Sequence, residues 1–305
     1  LEGLRHAGFE PGRNLVVESF FMDTKRTHNT PEGIEQAGRE ALQVVQSFRP
    51  DVVVTLDDNA FRTVGLALSG SPMPVVFSGL NGLPEDYDAT CDFMESRAHP
   101  GGNITGVYEK LHVADALLVH TRLFPGTRKV LFITDLSPTG KAIHKQIALE
   151  LADGGIPCLW ELRAASSWED YHRVIDQANR DPEVSVLYPA ALLLKDAQGR
   201  TYTAPEIFQW TTTHSHKPEI AVNFSFVQMG LFGGAAVDFF AMGEQAGRMV
   251  AAILQGTPPG EIPMEEARRY ALAFNVDRAR RLGIQIPEDV LLAADYVVVS
   301  RLEKP

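Results

Sequence analysis

Two adjacent carboxylates followed by a carboxamide, Asp57, Asp58 and Asn59, stand directly after the apolar run DVVVTL at 51–56, where a strand end meets a helix start. Such side chains cap free backbone N–H groups. They can equally face an ammonium group, because a desolvated carboxylate requires a partner charge. Thr55 adds a hydroxyl to the same loop. The next apolar run, PVVFS at 74–78, is left through Ser78, Gly79, Leu80 and Asn81. This passage reads as a polar wall whose glycine admits a ligand close to the backbone, or as an ordinary turn. Tyr108 offers a ring for stacking on a ligand or for packing between domains. In DLSPTG at 135–140, Asp135 and Thr139 lie between a strand and a helix whose amino end attracts an anion such as a carboxylate. Tyr188 ends a further strand, and Asn223, Phe224 and Phe226 end the next; each is a candidate ligand contact or a core residue. Asp238, after the run 232–237 and before Phe239 and Phe240, reads as an ammonium or hydroxyl anchor, against an N-cap or a hinge salt bridge.

Other chemistries lack their residues. Thr139, Gly140 and Lys141 suggest a phosphate loop, but Asp135 stands where its first glycine belongs and Ala142 where Ser or Thr would hold magnesium. The nine histidines contain no HExxH, and His214 with His216 reads as a solvated helix end, so no metal is expected. Cys91 and Cys158, far apart, form no CxxC and read as buried apolar thiols. There is no GxSxG elbow, kinase signature set or GxGxxG fingerprint, and we expect neither an enzyme nor a cofactor.

The 28 Lys and Arg against 39 Asp and Glu leave a net charge of -11 and no basic surface for phosphates, which excludes nucleic acid as a partner. With 305 residues and 45% of them hydrophobic, the chain can bury a full core in about two domains. No stretch approaches the ~18 uninterrupted apolar residues of a membrane span.

The elements that must position these residues alternate between β-rich and helical patterns, as in parallel βα units. Strands are predicted at 15–21, 51–56 (covered on both faces), 74–78, 129–134, 158–163, 184–188, 219–223 and 232–237. Helices are predicted at 31–48, 59–68, 111–123, 140–152, 168–179, 205–214 and 243–255. The glycine-rich HPGGNITG at 99–106 reads as a crossing between domains. LEGLRHAG at 1–8 reads as the last turns of a helix, so a strand and the start of that helix are expected upstream, removed with a secretory signal or left out.

Several whole segments resemble a known family. HPGGNITGV at 99–107 looks like the RPGGNVTGV segment of the ABC transporter substrate-binding family that includes tryptophan and other aromatic amino acid binding lipoproteins. GGAAVDFFAMGEQAGRMVAAILQGTPPGEIPM at 233–264 and FNVDRARRLGIQIP at 274–287 do the same. PDVVVTLDDNAF at 50–61, PVVFSGLNG at 74–82 and LLLKDAQGRTYTAPE at 192–206 are also similar to extracytoplasmic sensor regions of some bacterial histidine kinases.

The resemblance implies an α/β chain of the type I periplasmic binding protein architecture: two Rossmann-like lobes with parallel sheets, a multi-strand hinge, and a ligand clamped between the lobes. Lobe 1 is expected at 1–105 and 227–262, with its first strand absent, and lobe 2 at 106–226 and 263–305. The expected function is an extracytoplasmic, periplasmic solute receptor, lipid-anchored through a removed N-terminus and delivering its ligand to an ABC permease. An amino acid-like ligand would set its ammonium toward Asp238 or the Asp57 and Asp58 loop. The alternatives are the ligand-sensing ectodomain of a histidine kinase and an enzyme on a similar fold.

Overall fold

The structure, a computed structural model, describes residues 1–152 and 154–299. Its strands in chain order are β1 (Val53–Leu56), β2 (Val75–Leu80), β3 (Ile104–Tyr108), β4 (Lys129–Asp135), β5 (Leu159–Ala165), β6 (Val184–Pro189), β7 (Leu193–Lys195), β8 (Thr201–Thr203), β9 (Gly233–Val237), β10 (Glu265–Glu266), β11 (Tyr270–Asn275) and β12 (Tyr296–Val298). The chain forms two compact units. Unit 1 is Leu1–Lys110 with Phe239–Arg269, and unit 2 is Leu111–Asp238 with the stretch from Tyr270 onward.

Unit 1 is built on a parallel sheet of order β1-β2-β3-β10. Alternation along the strands feeds two apolar layers. Val75 and Phe77 join Phe61, Phe93 and Met94 on one face, whereas Val76 and Val107 join Leu4, Met242, Ala246 and Met249 on the other. Full burial of a ring such as Phe77 stabilises by roughly 1.5–3 kcal/mol. Helix Pro31–Phe48 begins where its sequence directs: Thr30 Oγ1 accepts from the Gly33 N–H at 3.1 Å, Pro31 takes the first position, and Arg49 closes the end in the left-handed conformation. HPGGNITG does not serve as a crossing, since Ile104–Tyr108 is a fully buried strand. Its Gly106 must stay bare, because a Cβ there would lie 2.3 Å from the Phe77 carbonyl oxygen.

Two strand expectations for this unit fail. Residues 16–22 enter no ladder; Leu15 forms a single bridge, with Pro11. β1 is not covered on both faces, for it forms the sheet edge and leaves Val54 46% and Leu56 65% exposed.

In unit 2 the parallel ladder β5-β4-β6 is continued by single bridges, Leu187 to Glu219 and Asn223 to Val237, into β9-β11-β12. Residues 219–223 therefore bridge two ladders at their ends instead of forming the predicted strand. β9 pairs antiparallel with β11, from Tyr270 opposite Val237 to Phe274 opposite Gly233. That pairing holds 233–237 in unit 2, where the sequence reading had placed them in lobe 1; alternation marks a strand without naming its partner. The chain crosses between units after Lys110, Asp238 and Arg269 rather than after 105, 226 and 262. A β7-β8 hairpin, unforeseen in the sequence, follows β6.

The core of unit 2 gathers Phe132, Tyr171, Ile175, Leu187, Tyr188 and Phe208. Beneath it the Arg278 guanidinium, 3% exposed, meets the fully buried Glu219 carboxylate, with Nε to Oε2 at 3.1 Å. Arg278 also donates to the carbonyls of Thr212 at 2.8 Å and Ser215 at 3.0 Å, so its donors are used where water is excluded.

Candidate functional site

In open parallel sheets, ligands bind beyond the carboxyl ends of the strands. In unit 1 the register sets Leu56 beside Ser78, Ser78 beside Val107 and Leu80 beside Tyr108, so three such ends share one edge. The loop after β1 carries Asp57 in the left-handed region at φ 74°, sparsely populated by non-glycine residues and a form of local strain that clusters at functional sites. Its Oδ1 accepts from the Asp58 N–H at 2.8 Å, and its Oδ2 lies 3.3 Å from Lys25 Nζ.

Asp58 is buried, and Asn81 serves it twice, through the backbone N–H at 3.0 Å and through Nδ2 at 2.8 Å. The Tyr87 hydroxyl donates to the same carboxylate. Burial, followed by the neighbouring Asp57 charge, still pushes the Asp58 carboxyl above the usual carboxylate range. Asn59 Nδ2 reaches Thr24 Oγ1 at 3.1 Å. Thr55 and Ser78 are buried within β1 and β2, and the Thr55 hydroxyl oxygen has no hydrogen-bond partner among the described residues. Gly79, at φ 77°, takes the left-handed conformation where the register of β2 against β3 shifts between Ser78 and Leu80.

Tyr108 is engaged elsewhere. Its ring belongs to the unit 1 core, and Arg97, which grips Glu85 at 2.6 and 2.7 Å, lies over that ring and donates to the Tyr108 hydroxyl at 2.6 Å. The next residue, Glu109, went unnoticed in the sequence. It is buried after β3, its N–H donating to the Leu80 carbonyl at 2.8 Å. Burial, then the charges of Asp57 and Asp58, push its carboxyl up to about 8, against the opposing pull of Lys25. Reading ITGVY as a strand would have flagged Glu109 as its carboxyl-end residue. Unit 1 thus gathers three carboxyl groups, two carboxamides and one lysine at one edge, an arrangement that can neutralise a cation by losing a proton.

In unit 2, Asp135 proves to be a backbone clamp. Its Oδ1 accepts from the Ser137 N–H at 2.8 Å, and Oδ2 from the N–H groups of Leu192 at 2.7 Å and Leu193 at 3.0 Å. Thr139 is half-buried in the first turn of helix Pro138–Leu151, where Ser137 Oγ caps Gly140 N–H at 3.0 Å. Tyr188 is wholly buried with its ring 4.9 Å from that of Phe132. Asn223 Oδ1 caps the helix Phe224–Gln228, and Phe224 stacks on Tyr296 at 4.7 Å. The bridge between Asn223 and Val237 sets Asp238, itself buried, next to this group. Asn223, Phe224 and Asp238 therefore come together, while Asp135 and Tyr188 serve the interior of the unit.

Among the described residues no group of three His, Cys, Asp or Glu could hold a metal ion, and no helix is long and apolar enough to cross a membrane. Comparison with known proteins gives a consistent picture. The tyrosine-binding protein of Clostridioides difficile (strain R20291) is 20% identical over 294 residues, 93% of this chain and 75% of that protein. The ABC domain from Streptococcus pneumonia in complex with L-Trp superposes with a TM-score of 0.68 at 19% identity, covering 97% of this chain and 93% of the other. A ligand-free, open substrate binding protein with adhesive properties from Clostridium difficile gives 0.67 at 15% identity, over 98% and 92%. These likenesses establish the type I periplasmic binding fold. The family profile described as ABC transporter substrate binding protein matches residues 1–298, and the chain therefore belongs to this extracytoplasmic family of solute-binding proteins.

Proposed function

We propose that the ligand is amino acid-like and that the carboxyl-end edge of unit 1 receives its ammonium group. The observation that carries this reading is the meeting of Asp58 with Asn81 beside Asp57 and Glu109: an edge of acidic and carboxamide groups, with Asp58 and Glu109 buried and Asp57 half-exposed, that a cation would complete. Asp57, Asp58, Asn59 and Asn81 are the binding groups, with the Thr55 and Ser78 hydroxyls behind them and Gly79 giving backbone access. Asp238, Phe224 and Thr139 of unit 2 remain candidate binding groups of that unit, a charge, an aromatic face and a hydroxyl. Tyrosine and tryptophan, bound by the similar proteins named above, set the first compounds to try. The receptor delivers its ligand to an ABC permease, does no chemistry of its own, and is held at the membrane surface through a lipid on a processed N-terminus.

A thermal-shift screen of the amino acids tests the reading, since a ligand at 100 times its dissociation constant adds ~2.7 kcal/mol to folding. One zwitterion should raise the melting temperature, and Asp58→Asn and Asp238→Asn should each weaken the response. A shift with a sugar or nucleoside and with no amino acid refutes the ligand class.

A further inference from the structure

We propose that unit 2 pairs with a second copy of this chain through β5, the two β5 strands running antiparallel about a two-fold axis at Leu162. β5 is the edge of the ladder β5-β4-β6, and nothing in its sequence blunts it. Its seven residues follow β4 without a break in register, from Leu159 opposite Lys129 to Ala165 opposite Asp135. The strand holds no proline, no lysine and no bulge, and it leaves Leu159 68% and Trp160 40% exposed. An open edge of this kind pairs with whatever strand fits it.

The hydrogen bonding decides which residues can pair. Leu159 donates its N–H to the Arg128 carbonyl at 2.8 Å, so Leu159, Glu161, Arg163 and Ala165 turn their backbone groups toward β4. Those of Trp160, Leu162 and Ala164 point the other way. Among the described residues no ladder, bridge or backbone hydrogen bond meets them there. Two strands related by a two-fold axis run antiparallel, and facing residues of an antiparallel ladder can exchange both of their bonds. Centred on Leu162, the ladder sets Leu162 against the partner's Leu162 and Trp160 against the partner's Ala164. Every outward N–H and C=O from Trp160 to Ala164 is then used.

The side chains select the same register. It places the large Trp160 and Leu159 opposite the small Ala164 and Ala165 of the partner, and Glu161 opposite the partner's Arg163. Phe132 already steadies the Trp160 ring, edge to face at 6.5 Å. A ladder centred on Glu161 or on Arg163 would set two like charges directly opposite each other, which is unfavourable. One centred on Trp160 opposes two indoles, and one centred on Ala164 leaves Trp160 beyond the strand. Charge complementarity therefore identifies the occupant as β5 itself. A strand pair of this length buries less than the ~1,200 Å² of a standard interface, so the dimer forms only as concentration rises.

Sedimentation of the chain from ~1 µM to ~1 mM, a range that captures weak association, should show monomer passing to dimer. Ala164→Lys, at an exposed position, should raise the dissociation constant at least ~10-fold and leave the melting temperature of the dilute protein unchanged. Cross-linking reads the register. In a Cys91→Ser, Cys158→Ser background, a short bismaleimide should join Leu162→Cys to itself. Trp160→Cys, about 14 Å from its counterpart along the strands, should not join to itself but should join to Ala164→Cys when the two variants are mixed. Should Leu162→Cys fail to fold, that mixture alone carries the register. A chain that stays monomeric over the whole range overturns the proposal. So does a dimer indifferent to Ala164→Lys, or one in which Trp160→Cys joins to itself. Growth beyond a dimer overturns it as well, because a two-fold edge pair closes on itself.

Discussion

Asn81 engages both carboxylate oxygens of Asp58, its N–H donating to Oδ1 and its Nδ2 to Oδ2. Only the second of these bonds depends on the side chain. Asn81→Ala should therefore destabilise unit 1 by about 1.5–3 kcal/mol, the range for a hydrogen bond to a charged group. Asn81→Asp should cost more at neutral pH, because it adds a carboxylate beside Asp57, Asp58 and Glu109, and its deficit should shrink as the pH falls and the new acid protonates. Thermal melts of both variants at pH 5 and pH 8 check this ordering; equal melting temperatures for Asn81→Asp and the parent at pH 8 would contradict it.

Glu109 makes the stability of unit 1 depend on pH in an unusual direction. Its carboxyl titrates near 8 in the folded chain, well above its unfolded value of 4.5, so between those values the folded state holds a proton that the unfolded state has lost. Stability is then full below about pH 4.5 and declines as the pH rises through 8, with a limiting slope near 1.4 kcal/mol per pH unit for one proton. Asp58, also raised, acts in the same sense. Denaturant titrations at pH 6 and pH 8 should give a lower unfolding free energy at pH 8, and Glu109→Gln should flatten most of the difference. A parent protein equally stable at both values would show that Glu109 is ionised in the folded chain.

Asp135 is placed to hold backbone rather than ligand. Its three N–H donors come from the loop after β4, the loop after β6 and the first residue of β7, so Asp135→Asn turns an amide group toward donors and leaves at least one N–H unsatisfied, at about 1–3 kcal/mol. The melting temperature without ligand should fall by several degrees, and the shift caused by saturating ligand should keep its size. An unchanged melting temperature with a smaller ligand shift would return Asp135 to the binding residues.

What was legible in the sequence was local. Helix Pro31–Phe48 announced itself through Thr30, Pro31 and its apolar stripe, and the acidic loop after β1 through the run of apolar residues before it. Partners of a strand are not local. Gly233–Val237 reads as a strand in either unit, and only its antiparallel pairing with Tyr270–Asn275 decides between them. Glu109 was hidden because the glycines before it mark a break by propensity, whereas Gly106 is required by its approach to Phe77 in the neighbouring strand. Asp135 was conspicuous by type and position, yet its oxygens are used by Leu192 and Leu193, more than fifty residues further along.

The buried pair of Arg278 and Glu219 separates two ideas about ionic groups in a core. Taking both charges out of water is costly, and burial does push the Glu219 carboxyl upward, although the Arg278 guanidinium opposes the shift. Removing one partner leaves the other uncompensated. Arg278→Met should therefore cost about 3–5 kcal/mol and loosen the packing of Phe232, Phe274 and Ile286 nearby. Replacing both, with Glu219→Leu and Arg278→Met, removes the desolvation penalty of each ion, but it still orphans the carbonyls of Thr212 and Ser215 that Arg278 now serves. The double variant should consequently recover part of the loss and fall short of the parent. Denaturant unfolding of the parent, both single variants and the double variant gives the coupling energy directly. A double variant as unstable as the sum of the single ones would mean that the two charges do not act as a pair, and that Arg278 works through the carbonyls alone.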